Sequence, residues 1–153
     1  MPSVAGNTRF SVGDNFTTTN ANAYPRGCFS YFENKTGINL TTSAVLMSVI
    51  NWTAESTRIY KITYFEPQIL LPSSGNVDMT IRVTSAAGTQ VALTRAAGGP
   101  TPTEMLCSVV LTGLSGAVTY AGCLLASSTA GTPSATRSAT QSSLMLVEDI
   151  GGT

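Results

Sequence analysis

The sequence predicts an all-β chain folded as a two-sheet antiparallel β-sandwich. Three observations point there. Apolar and polar residues alternate with period two repeatedly from Gly27 onward, the pattern of strands with one packed face and one wet face. Clusters of Gly, Pro, Asn and Ser separate these runs and supply the backbone reversals. No run of ten or more residues shows an apolar period of 3.6.

Residues 1–25 hold isolated apolar side chains, Val4, Phe10, Val12, Phe16 and Tyr24, in a background of Asn, Thr and Gly. That is too sparse for a core element, so an extended arm is expected. It is either disordered or laid over a neighbouring subunit with Phe10 and Phe16 as anchors. The sandwich domain is expected over residues 26–153. Its first strand is read at Cys28 to Glu33 and its second at Ala44 to Ile50, where the β-branched Val45, Val49 and Ile50 favour strand over helix. Thr57 to Phe65 places Tyr60, Ile62 and Tyr64 on one side and Ile59, Lys61, Thr63 and Phe65 on the other. With apolar area on both faces, it is expected to be central or covered by another subunit. Further strands are read at Gln68 to Leu71, Val77 to Thr84, Gln90 to Thr94, Glu104 to Leu111, Ala117 to Leu125 and Ser142 to Ile150. The small residues of Ala126 to Thr140 predict a long loop, and loops of that length are usually functional or disordered. Eight or nine short strands at this spacing suit a jelly-roll or a C1q/tumour-necrosis-factor-like sandwich.

Composition narrows the function. The chain has 153 residues, of which 42% are apolar and only 10% charged; soluble domains carry about 25% charged residues. Eight basic and eight acidic side chains cancel. Net charge holds free monomers apart, so neutrality favours an assembled working state, although a Ser/Thr-surfaced soluble domain has the same composition. The basic residues are scattered, which argues against a nucleic-acid partner. No run approaches the length of a membrane span, and the N-terminus lacks a signal-peptide pattern, so neither membrane nor secretion is expected. Cys28, Cys107 and Cys123 lie among apolar neighbours; buried free thiols are expected, with one disulfide plus a free thiol as the alternative.

Enzymatic chemistry finds little to work with. There is no histidine, which removes Ser-His-Asp and Cys-His machinery and Cys/His zinc sites. Glu148 and Asp149 are adjacent on a strand and point to opposite faces, so they cannot flank one bond. Glu33, Glu55, Glu66 and Glu104 stand at the ends of predicted elements, where solvated edge charges are usual. Three Asp without a D-x-D spacing give no calcium site, and no Gly-rich phosphate loop is present. Neither enzyme activity nor a cofactor is expected.

Two stretches carry a resemblance. One is the closing strand Leu144 to Gly152, which ends Val147-Glu148-Asp149-Ile150-Gly151; the other is Val45 to Glu66, with Trp52 followed by Arg58-Ile59-Tyr60. Together they resemble the small β-sandwich virion structural proteins of tailed phages, especially actinobacterial ones. The resemblance spans Arg26 to Gly151 and implies a non-enzymatic virion component. The first expectation is a capsid decoration protein, a homotrimer bound to the major capsid protein. A minor tail protein, or a receptor- or carbohydrate-binding module that takes a host-surface glycan, is the alternative. Trp52 is expected to cap one end of the core, with glycan stacking as the other reading, and Tyr60 to lie on the richest strand. Arg58 needs a partner, and Glu148 or Asp149 could provide it, either fixing sheet register or locking one protomer to the next. A solvated edge charge that discourages strand aggregation is the competing reading.

Overall fold

A computed structural model of the chain describes residues 26–99 and 101–152. The expected arm, with Phe10 and Phe16, lies outside these residues. The described residues form ten strands: β1 (Gly27–Asn34), β2 (Ile38–Asn39), β3 (Val45–Ala54), β4 (Arg58–Leu70), β5 (Asn76–Val83), β6 (Gln90–Ala97), β7 (Thr103–Leu111), β8 (Gly116–Ala126), β9 (Ser134–Ala135) and β10 (Ser143–Gly152). The eight long ones make two sheets, ordered β1-β10-β4-β7 and β3-β8-β5-β6, with every neighbour antiparallel. This order is the jelly roll, two Greek keys wrapped into a sandwich.

The sheets bury alternate residues against each other. Tyr60, Ile62 and Tyr64 of β4 and Val77, Met79 and Ile81 of β5 are fully buried, as the alternation predicts, and Met145 and Val147 of β10 join them. Hydrogen bonds tie the open sides of the sandwich between the sheets. The Asn34 amide donates to the Met47 carbonyl at 3.0 Å, and the Thr94 hydroxyl to the Leu106 carbonyl at 2.9 Å.

Three elements differ from the sequence reading. Thr57 to Phe65 and Gln68 to Leu71, read as two strands, are one strand of 13 residues. Pro67 does not end it, because the pairing with β7 is irregular between Glu66 and Ile69, and proline is tolerated where a ladder bond is already missing. The strand expected to end at Ile50 runs on to Ala54 and so contains Trp52. The predicted loop Ala126 to Thr140 is a strap tied to the sandwich. It contains β9, which pairs with β2 and with the end of β4, and its Ala130 and Pro133 carbonyls accept bonds from Ser73 and Leu40.

Gly122 faces inward opposite Tyr64. A Cβ there would stand 3.0 Å from Tyr64 Cδ1 and 2.7 Å from Ser48 Oγ. Gly122→Ala is therefore expected to lower stability by about 1–3 kcal/mol through overpacking, measured by denaturant unfolding. An unchanged midpoint would mean that the Tyr64 ring moves aside freely.

Candidate assembly surface

Four of the residues singled out in the sequence, Trp52, Arg58, Tyr60 and Asp149, meet at one end of the sandwich. Register places Asp149 beside Tyr60 and Gly152 beside Arg58. Arg58, with no exposed surface, donates from Nε to Asp149 Oδ2 at 2.7 Å and from Nη2 to Oδ1 at 2.5 Å. This bidentate fork is the strongest geometry open to the pair. Asp149 also accepts the Gly151 N–H at 3.0 Å across a bulge in β10, where Gly151 takes a φ of 139° that favours glycine. Ile150 sits in that bulge, while Glu148 points outward to Lys61 at 3.7 Å. Each residue of the Val-Glu-Asp-Ile-Gly ending thus has a separate physical role. The Arg58 contact joins β4 to β10 within the chain and is buried, so the solvated-edge reading fails for Asp149.

Trp52 packs between Tyr60 and Tyr120, with ring centroids at 5.5 and 5.6 Å. It is buried, so it builds the core and cannot stack on a sugar. The Tyr60 hydroxyl accepts the Glu55 N–H at 2.9 Å and holds the turn into β4.

A second buried charge cluster went unread in the sequence. Glu66, expected as a solvated edge charge, has no exposed surface, because it continues the inward row Tyr60, Ile62, Tyr64. Arg137, on the strap, donates to both Glu66 oxygens, to Oε2 at 2.9 Å, and to the Thr36 carbonyl at 2.8 Å; the Tyr64 hydroxyl donates to Glu66 Oε1. Burial, then the neighbouring Glu66 carboxylate, pushes the Tyr64 hydroxyl well above its ordinary pKa. The row of inward positions was the available signal for Glu66. Arg137, alone among Ser, Thr and Ala, offered none.

The thiols are all free. Cys107 and Cys123 are buried as expected, but Cys28 is exposed, because it starts an edge strand. Among the described residues no group of His, Cys, Asp or Glu is placed to hold a metal ion. No described helix is long and apolar enough to cross a membrane.

The two outward faces differ in how much apolar surface they expose. On the β1-β10-β4-β7 sheet, register aligns three outward rows: Tyr31, Leu146, Thr63 and Ser108; Glu33, Leu144, Phe65 and Leu106; and Cys28, Glu148, Lys61 and Val110. Leu106 is 55%, Val110 56% and Tyr31 69% exposed. The opposite face exposes Leu46 and Leu93, and beside them it carries the Asp78–Arg95 ion pair at 2.6 Å and Arg82 bound to Thr80, Gly88 and Gln90. The expectation of two apolar faces on β4 extends to its neighbours, and Leu106 and Val110 of β7 went unread because Glu104 and Ser108 alternate with them.

No protein-family profile matches the chain, and no curated protein matches it in sequence. Among solved structures it is similar to a chain of the disulfide-linked pili of Bacillus endospore appendages, at 15% identity and a TM-score of 0.38, over 91% of this chain and 100% of that one. It is also similar to chains from infectious bursal disease virus. The Gx-strain match has 14% identity and a TM-score of 0.37 over 86% of this chain, and the Gt-strain match 12% and 0.30 over 83%. This chain spans only 30% and 43% of those viral chains. Likeness this distant carries no argument about function, which rests on the residues themselves.

Proposed function

We propose that this chain is a non-enzymatic structural protein of a tailed-phage virion, a capsid decoration protein that binds the capsid surface as an oligomer, with a homotrimer as the expected state. The observation that carries this reading is the apolar patch of Phe65, Leu106, Val110, Leu144 and Leu146 on the outward face of the β1-β10-β4-β7 sheet, since a surface of this kind is matched by protein contact. The Val-Glu-Asp-Ile-Gly ending and the Trp52, Arg58, Tyr60 strand support the virion part of the reading through their resemblance to phage sandwich proteins. Adhesion is favoured over glycan binding because Trp52 is buried. In addition, the shallow cleft lined by Ile38, Asn39, Ser134, Thr136 and Arg137 holds no aromatic side chain.

Quantitative mass spectrometry of purified particles tests the proposal. Hundreds of copies per particle are expected of a decoration protein. A handful would move the chain to the tail, as a minor tail protein, and absence from particles would overturn the virion reading.

A further inference from the structure

Which surface joins one copy to the next follows from charge and area. We infer that the outward face of the β1-β10-β4-β7 sheet, centred on Phe65, Leu106, Val110 and Leu146, is the interface between copies of this chain; this rests on the assembled state proposed above. The charges of that face pair among themselves, Lys61 with Glu148 near its middle and Glu33 with Lys35 at its edge, and Glu104 stands at the end of β7, so an incoming partner needs to bring little compensating charge. A strongly acidic or basic partner would find little to match. A second copy, whose eight basic and eight acidic side chains also cancel, does match, because its face carries the same apolar centre and the same internally paired charges.

Area agrees. Four strands about 4.8 Å apart, each about eight residues long at about 3.3 Å per residue, give a footprint of about 500 Å². Two such footprints bury about 1,000 Å² before side-chain relief is counted, which reaches the threshold of a specific interface. Each outward face would bury one ion pair, Lys61–Glu148 here and Asp78–Arg95 there, but the opposite face would also bury Arg82, whose hydrogen bonds go to the neutral groups of Thr80, Gly88 and Gln90, and desolvating that cation opposes association.

Analytical ultracentrifugation of the full chain at micromolar concentration tests the inference, using a Leu106→Glu/Val110→Glu double variant and a Leu93→Glu control on the other outward face. All three side chains are more than two-fifths exposed, so circular dichroism melting should be unchanged; Leu106→Lys alone serves if the double variant misfolds. The full chain and the control should be oligomeric, and the interface variants should associate about 100-fold more weakly. A monomeric full chain, or an oligomer indifferent to the interface variants, would overturn the inference. So would a monomer that associates only after residues 1–25 are deleted, since the face would then belong to the chain's own N-terminal segment. Many copies on particles with an indifferent variant would sink only the interface, whereas a dissociating variant of a protein absent from particles would sink only the virion reading.

Discussion

Replacing Asp149 with alanine is expected to lower the unfolding free energy by about 3–5 kcal/mol, because it leaves the Arg58 guanidinium buried without its carboxylate. Arg58 is 0% and Asp149 1% exposed, so water cannot take over the lost contacts. The same change removes the acceptor of the Gly151 N–H and loosens the bulge that ends β10. For a domain whose whole stability is about 5–15 kcal/mol, this is a large share. Urea unfolding followed by tryptophan fluorescence suits the measurement, since Trp52 is the single tryptophan and lies at this end of the core. The double variant Arg58→Met/Asp149→Leu should recover most of the loss, because it removes both charges instead of stranding one. A loss under about 1 kcal/mol in the single variant would show that the pair is hydrated and contributes as a surface ion pair does.

The second large effect is expected at Arg137. Arg137→Ala strands the Glu66 carboxylate, which keeps the Tyr64 hydroxyl but loses its cation. A loss of about 3–5 kcal/mol follows from the same reasoning. It differs from the first effect in place, because Arg137 joins the strap to β4 and, through the Thr36 carbonyl, to the segment before β2. Residues 127–142 should therefore become sensitive to a broad-specificity protease under conditions where the sheets stay folded, whereas Asp149→Ala should leave the strap protected until global unfolding. Equal protease resistance in wild type and Arg137→Ala would mean that the backbone bonds from Ser73 and Leu40 hold the strap unaided.

These two buried pairs show where reading along the chain stops. Arg58 was legible as a charge needing a partner, and two adjacent acidic residues were candidates. Strand alternation dictates that only one of Glu148 and Asp149 can face inward, but the choice depends on the register of β10 against β4. That register is set across 91 residues of sequence separation. Glu66 falls between the two strands read at Thr57 to Phe65 and Gln68 to Leu71, whereas the irregular pairing at that point lets β4 run on and carries Glu66 into the interior. Arg137 sits in a segment whose small polar residues look like any surface loop, and its role exists only once β9 is laid against β2 and β4.

The sequence by itself determined the all-β class, the faces of the strands and the apolar second face of β4, because period-two patterning and turn chemistry act over a few neighbouring residues. It also marked Trp52, Arg58, Tyr60 and Asp149 as residues with a task. Only the tertiary structure decided the jelly-roll strand order, the pairing of Arg58 with Asp149 and of Glu66 with Arg137, and the continuity of one apolar face across four strands. Those features depend on which distant segments lie side by side, and local propensity does not encode that choice, since antiparallel neighbours are selected by the packing of the whole core.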